Sequence, residues 1–151
     1  FWNILPPPED KLEEYFGTHG FDGEKSTGNT EYNWYNFNNA KWGTKWDVGV
    51  ADKVKYAETE LQEETNTKLH YKFDTAWSPP LEAIASLSEQ FPNDKFVLHY
   101  LELGCMFAGV ARIANGLTAD SDINQTSEDI YRFAEEEFGL SYDELVDMDR
   151  E

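Results

Sequence analysis

The chain has 151 residues, 40% of them hydrophobic, and its 30 acidic residues outnumber the 12 basic residues to give a formal net charge of −18. This length predicts a single domain over residues 1–151, and the hydrophobic content is too high for a disordered chain. The sequence contains no run of about 18 apolar residues, so we expect no membrane-spanning helix, and so negative a surface disfavours direct nucleic-acid binding because carboxylates repel phosphates.

The first third of the chain carries two predicted helices separated by a loop. Pro6–Pro8 followed by Glu9 and Asp10 is typical of a helix start, because proline is tolerated in the first turn and acidic side chains there complement the helix dipole. Residues 18–30 are rich in Gly, Asp, Ser and Asn and predict a mobile loop. Aromatic residues at helical spacing predict a short helix over residues 32–40.

The middle of the chain predicts two strands and the clearest helix. Apolar and polar residues alternate over residues 46–50 and again over residues 69–73, as in half-buried strands. The acidic segment 52–67 has no clear period and fits a strand end, a short helix or a long excursion. Pro79-Pro80 opens the helix, and Ser78 is its predicted N-cap.

Three further strands are predicted after this helix. Alternating apolar residues mark residues 96–100, small and apolar residues mark residues 106–114, and a third strand covers residues 117–123. Asn115-Gly116 lies between the last two and is a strong hairpin signal. These three strands therefore predict an antiparallel arrangement.

The C-terminal part is helical and acidic. Ser127 or Asp129 is the predicted cap of a helix that stops at Gly139. One more acidic helical turn is predicted at residues 142–146, within an acidic tail that we place at residues 139–151.

The order of these elements predicts an α+β fold. Two helices packed on one face of an antiparallel sheet, plus the C-terminal helix, would satisfy it. A ferredoxin-like β-α-β-β-α-β arrangement fits if the first strand precedes or overlaps residues 1–5.

Two aromatic-rich blocks, residues 33–47 and 73–80, contain four of the five tryptophans. Because large aromatic side chains mostly serve packing, we interpret the blocks as a fixed junction between the sheet and its helices rather than as a binding groove. The motif residues to which we assign this structural role are Trp42, Gly43, Lys45, Trp46, Asp47, Trp77, Pro79 and Pro80.

The two blocks also carry a family resemblance. Asn33-Trp34-Tyr35, Trp42–Asp47, Thr75–Pro80, Phe91-Pro92 and Phe107–Gly109 together resemble the YubB-type ferredoxin-like domain family, which occurs in bacterial plasmid and phage genomes. The resemblance covers about the whole chain. It implies a ferredoxin-like fold without an iron–sulfur cluster and an origin in a mobile genetic element, and it implies no established reaction.

Two histidines and the single cysteine are candidates for a metal site and a reactive thiol. His70 and His99 lie on different predicted strands and could hold a metal with Glu102, but two unrelated exposed histidines are the simpler interpretation. Cys105 lies in an apolar stretch and is predicted to be a small buried residue. A single cysteine, with no visible signal segment, points to the cytoplasm.

Calcium binding and catalysis are not supported by the motifs. Asp120, Asp122 and Asn124 alternate as in a calcium loop, but Gln125 and Tyr131 occupy the positions that require glycine and glutamate. The usual signatures of nucleophilic and nucleotide-dependent enzymes are missing as well. We therefore predict a protein without enzymatic activity, catalytic residues, metal or cofactor.

The charge leads to the functional hypothesis. We expect a non-enzymatic interaction protein of a phage or plasmid that presents an acidic surface to a partner protein with a basic surface, for example as a nucleic-acid mimic or an antagonist of host defence. The predicted binding residues are Glu135, Glu136, Glu137, Asp143, Glu144 and Asp147. The alternatives are a small-ligand or metal-binding module and a structural or virion-associated protein that forms a homo-oligomer.

One sheet face also predicts a contact. Val97 and Leu101 share the face that carries His99, and an apolar patch there requires a cover. The C-terminal helix or a partner protein would supply it.

Overall fold

A computed structural model describes residues 1–17, 31–49, 59–123 and 126–148. The chain divides into two compact units, residues 1–87 and residues 88–151, and each is described by itself. The prediction of a single domain stays a prediction. Outside the described residues lie the predicted loop 18–30, the end of the strand predicted at 46–50, part of the ambiguous segment 52–67, Asn124 and Gln125, and the last three residues of the acidic tail.

Short helices open the first unit where the prolines and the aromatic block predict them. A 3₁₀ turn at Glu9–Lys11 leads into α1 (Leu12–Gly17). α2 (Trp34–Phe37) is capped by Asn33, whose side chain accepts the backbone N–H of Asn36 at 2.8 Å. α2 continues as a π-helix over Asn38–Trp42, which ends where Gly43 takes the left-handed conformation with φ +79°.

The strand predicted at residues 46–50 is wrong over residues 46–48, and no strand overlaps residues 1–5. Residues 1–5 form a turn, closed by the N–H groups of Ile4 and Leu5 on the carbonyl of Phe1 at 2.9 and 3.0 Å. Residues 46–48 are not a strand, and only Gly49 makes a β-bridge. The Asp47 carboxylate accepts the backbone N–H of Val48 at 2.9 Å, so this local bond replaces extended pairing.

The core of the first unit is aromatic. Trp42 is 1% exposed and packs between Phe1 and Phe37, whose ring centroids both lie 6.1 Å from its own. Its indole N–H donates to the carbonyl of Leu5 at 2.8 Å. Ala83 of α3 (Leu81–Gln90) joins this cluster. The packing role predicted for Trp42 agrees with this position.

A β-hairpin also belongs to the first unit. β1 (Glu60–Glu64) pairs antiparallel with β2 (Leu69–Lys72), with Leu61 opposite Tyr71 and a register shift between Leu61 and Glu63. The ambiguous acidic segment thus contains a strand. Every residue of both strands is exposed.

The helix predicted after Pro79-Pro80 is α3, and its start is confirmed. The N–H of Ile84 donates to the carbonyl of Pro80 at 3.1 Å. The predicted cap is wrong, because the Ser78 hydroxyl donates to the carbonyl of Gly43 instead. Ser78 lies three residues before the first helical residue, Leu81, and fixes the incoming chain.

The second unit contains a three-stranded antiparallel sheet in the order β3 (Phe96–Glu102), β4 (Phe107–Ala114) and β5 (Leu117–Asp122). The predicted hairpin is confirmed, because Asn115 and Gly116 both have positive φ, +46° and +77°. All three strands agree with the predicted segments to within two residues.

Two helices cover one face of this sheet. α4 (Ser127–Phe138) buries Ile130 and Phe133 against Ala108 of β4, and α5 (Tyr142–Met148) buries Leu145 against α4. The cap of α4 is Thr126 rather than Ser127 or Asp129, while Gly139 ends the helix in the left-handed conformation as predicted. The predicted α+β fold with an antiparallel sheet and a C-terminal helix is confirmed.

Candidate interaction surface on the two C-terminal helices

α4 buries apolar side chains on one face and keeps its acidic side chains exposed. Its buried residues are Ile130, Tyr131, Phe133 and Ala134, at the spacing of one helix face. Every acidic residue of α4 is exposed, namely Glu128, Asp129, Glu135, Glu136 and Glu137. The predicted residues Glu135, Glu136 and Glu137 are therefore open to solvent.

α5 adds three carboxylates next to α4. Leu145 packs against Tyr131 and Ala134 of α4, which fixes the helix in place. Asp143, Glu144 and Asp147, also predicted as binding residues, are exposed. We define the acidic surface as the exposed acidic residues of both helices, which are Glu128, Asp129, Glu135, Glu136, Glu137, Asp143, Glu144 and Asp147.

One basic side chain lies on the same two helices as the acidic surface. Between residues 126 and 148 the sequence has eight acidic residues and one basic residue, Arg132. The guanidinium donates twice to Glu128, at 3.1 and 2.7 Å, and lies 5.5 Å from the ring centroid of Tyr142. The hydrogen bond with Glu128 raises the pKa of Arg132. Arg132 is thus engaged within the helix pair, and eight acidic residues there face this one basic residue.

Glu137 joins the acidic surface to the sheet. Its carboxylate lies 2.7 Å from Nδ1 of His99 on β3, and the His99 ring lies 6.0 Å from the ring of Phe133. The same helix packs on Leu101. The apolar face predicted around His99 and Leu101 is therefore covered by the C-terminal helix, while Val97 remains 56% exposed.

This arrangement can attract positively charged groups. Carboxylates held on packed helices cannot disperse, so they concentrate negative potential over a short distance. A basic protein surface would be attracted to it over about one Debye length, about 8 Å at physiological ionic strength.

The structure brings the two tryptophan blocks together in the first unit. The Thr44 hydroxyl is buried and donates to the carbonyl of Ala76 at 2.8 Å, and Ser78 donates to Gly43. The rings of Trp46 and Trp77 lie 6.4 Å apart. Each contact joins one block to the other.

Lys45 lies between two indole rings in this junction. Its Nζ is 3.9 Å from the ring centroid of Trp77 and 4.5 Å from that of Trp46, and the residue is only 2% exposed. Trp77 itself is 64% exposed and has a positive φ of +71°, an unusual conformation for a tryptophan. The Trp77 ring therefore covers Lys45 with one face while most of its surface stays open to solvent.

The remaining motif residues also have structural contacts. Asp47 accepts the backbone N–H of Trp2 at 3.0 Å as well as that of Val48. Pro80 is fully buried, and the carbonyl of Pro79 lies beside Gly43, where a β-carbon would come within 3.2 Å of it. Gly43 therefore allows the two blocks to approach closely.

The two histidines considered as metal ligands belong to different units of the chain. His70 is on β2 and His99 on β3, which belong to different sheets. Within residues 1–17, 31–49, 59–123 and 126–148, no group of three or more His, Cys, Asp or Glu side chains is arranged to hold a metal ion. None of the helices in these ranges is long and apolar enough to cross a membrane.

The two carboxylates whose spacing resembles a calcium loop, Asp120 and Asp122, both contact a tyrosine hydroxyl. Both carboxylates lie 3.0 Å from the Tyr100 hydroxyl, which reaches them from β3 across Gly109 of β4. Burial, followed by these hydrogen bonds, raises the pKa of Tyr100. Cys105 also departs from its prediction: it is exposed, because the chain turns between β3 and β4 at this point.

A comparison with known families identifies the fold. The sequence model of a family described as "Ferredoxin-like domain in Api92-like protein" matches residues 55–142, more than half of the chain. The chain belongs to this family. The predicted ferredoxin-like fold is thereby confirmed. No curated protein and no solved structure matches the chain significantly.

The match places most of the acidic surface inside this ferredoxin-like domain. Residues 55–142 include the five strands found among the described residues, with α3 and α4, and they end at the first residue of α5. Sequence analysis missed Glu128 and Asp129, which share the exposed side of α4 with the predicted residues. The signal for both was present, because acidic residues in a first helical turn face solvent when the apolar residues of that helix face a sheet.

Proposed function

We propose that this ferredoxin-like domain is a non-enzymatic interaction protein whose acidic surface binds a partner protein with a basic surface. One observation carries the proposal: eight exposed carboxylates lie on two mutually packed helices whose single basic residue, Arg132, is paired with Glu128. A solubility role alone would need no such concentration, because evenly scattered charge serves solubility equally well.

The expected energy per contact is modest, and the number of contacts decides the affinity. An ion pair at a solvent-exposed site contributes about 0.2–1 kcal/mol. Five such pairs would contribute about 1–5 kcal/mol, which corresponds to a change in affinity of about fivefold or more. Complementary charge also speeds association, so the on-rate should fall as salt rises.

The chemistry of the partner follows from the charge. A protein that normally holds nucleic acid presents lysine and arginine side chains toward phosphates, and carboxylates can take the place of those phosphates. Nucleic-acid mimicry, including antagonism of a host defence protein, is the specific form of the proposal. An origin in a phage or plasmid is part of the same proposal and rests on the resemblance of the tryptophan blocks to the YubB-type family.

The experiment distinguishes binding through the acidic surface from attraction by the net charge of the whole chain. One variant carries amides at five surface positions: Glu135→Gln, Glu136→Gln, Asp143→Asn, Glu144→Gln and Asp147→Asn. A control variant carries five amides at exposed acids elsewhere: Glu13→Gln, Glu64→Gln, Asp74→Asn, Glu89→Gln and Asp94→Asn. Both variants lose five negative charges, so their net charge is equal.

Binding is measured against a fluorescein-labelled arginine-rich peptide taken from a DNA-binding protein, by anisotropy over a series of salt concentrations, and by competition with duplex DNA. We expect the surface variant to lose affinity about fivefold or more and the control about twofold or less. Equal losses in the two variants would mean that net charge alone drives binding. That result, or binding that does not weaken with salt, would refute the proposal.

A further inference from the structure

Both faces of the β1–β2 hairpin are exposed to solvent. Every residue from Thr59 to Lys72 is exposed, and Leu61, Leu69 and Tyr71 are 49%, 60% and 49% exposed. Among the described residues no strand pairs with the second edge of β2. An isolated two-stranded ribbon is only marginally stable in water, and an open strand edge is a template for another strand.

The two edges of the hairpin differ in charge. The edge strand β1 carries Glu60, Glu63 and Glu64, so pairing β1 with a second β1 would place carboxylates against carboxylates. β2, with the sequence Leu-His-Tyr-Lys, contains no acidic residue. In a chain of net charge −18, β2 is thus an edge that a second copy can approach.

Antiparallel pairing of two β2 strands about Tyr71 is self-complementary. Because Leu61 lies opposite Tyr71 within one hairpin, this register creates a continuous apolar row across four strands: Leu61 and Tyr71 of one copy, then Tyr71 and Leu61 of the second. On the opposite face, His70 of one copy lies opposite Lys72 of the other. These two are flanked by Glu63 and Glu60, their partners in the respective hairpins.

We propose that two copies of this chain associate through β2 to form a four-stranded intermolecular sheet with its two-fold axis at Tyr71. The interface is isologous, so each Tyr71 contacts its own counterpart. The contact is small and the two copies repel each other through their net charge. The dimer should therefore be weak and should become stronger as salt screens that repulsion.

The salt dependence separates this proposal from the proposed function. Binding of a basic partner to the acidic surface weakens with salt, whereas pairing of two negatively charged copies strengthens. Neither result depends on the other.

Sedimentation velocity on the full chain, from about 10 µM to about 500 µM, tests association directly. We expect a monomer–dimer equilibrium, and we expect Tyr71→Glu to weaken the dimer by about tenfold or more because it places two carboxylates together at the axis. Tyr35→Glu is the matched control, since Tyr35 is similarly exposed at 45% and lies outside the hairpin. A chain that stays monomeric throughout, or equal effects of the two substitutions, would overturn the proposal.

A disulfide trap tests the register. Opposed residues in antiparallel strands have Cα atoms about 4.5–5.5 Å apart, within the range that a disulfide spans. Cys105 is exposed and is first removed by Cys105→Ser. In that background, mild oxidation should cross-link Tyr71→Cys into dimers and leave Tyr35→Cys monomeric. Equal cross-linking at the two positions, or none at position 71, would refute the axis at Tyr71.

Discussion

Replacing Gly109 by alanine should break the contact between β3 and β5 that passes over β4. A β-carbon at position 109 would clash with the Tyr100 hydroxyl and Cζ, and it would lie 2.9 Å from the carbonyl oxygen of Ser121. Tyr100 can swing into solvent, but it then loses its hydrogen bonds to Asp120 and Asp122, while the Ser121 carbonyl is backbone and can move only with its strand.

The size of the effect follows from these contacts. Overpacking of this kind costs about 1–3 kcal/mol, and partly exposed hydrogen bonds add about 0.5–1 kcal/mol. Replacing a strand glycine by alanine recovers about 0.5–1 kcal/mol of backbone entropy. We therefore expect Gly109→Ala to lower the free energy of unfolding by about 0.5–3.5 kcal/mol.

Urea unfolding followed by circular dichroism measures this free energy, and a double-mutant cycle isolates its cause. In a Tyr100→Ala background, the clash with the ring is gone, so the loss from Gly109→Ala should shrink by about 1 kcal/mol. A neutral or stabilising Gly109→Ala, or a loss unchanged by Tyr100→Ala, would show that the ring does not lie across β4.

Three more predictions concern packing, capping and ionisation, the first two followed by urea unfolding. Trp42→Phe should destabilise the fold by about 1–3 kcal/mol, because it loses the indole hydrogen bond and leaves a cavity. Trp77→Phe, at an exposed ring, should cost about 0.5 kcal/mol. Equal losses would contradict the position of Trp42 in the core. Thr126→Ala should cost about 1 kcal/mol and Ser127→Ala less than about 0.5 kcal/mol, and the reverse order would identify Ser127 as the cap. Because the pKa of Tyr100 is raised, the folded state favours its neutral phenol. The contribution of that phenol to the free energy of unfolding is therefore complete below about pH 10 and declines as pH rises through the folded pKa. The pKa of Tyr15 is also raised, chiefly by burial, so alkaline titration of phenolate absorbance should show late-titrating tyrosines of which Tyr100→Phe removes one. A titration curve unchanged by Tyr100→Phe would contradict the raised pKa of Tyr100.

Much of the second unit could be predicted because its local signals agree with its packing. The alternation in β3 and β4, and the positive φ that Asn115 and Gly116 tolerate, specify a hairpin without knowledge of the rest of the chain. The apolar stripe of α4 specified which side of the helix meets the sheet, and so which carboxylates stay outside. The acidic surface was therefore largely within reach of sequence analysis.

The first unit was harder to predict because its core contacts join segments that are distant in the sequence, and because its hairpin is fully exposed. β1 has no apolar periodicity, since a hairpin that buries nothing needs none. Trp46 and Val48 alternate as in a strand, but contacts with Lys45 and Asp47 decide the conformation there. The position of Trp77 depends on a cation from the other block, which no local pattern reveals.

The aromatic enclosure of Lys45 has a practical consequence for chemical labelling. Amine-reactive dyes and acylating reagents attack the accessible ammonium groups of a protein, and a side chain 2% exposed between two indoles offers them almost no approach. Coupling the folded domain to a sensor surface through its lysines should therefore spare this position. Loss of that protection would report opening of the tryptophan junction.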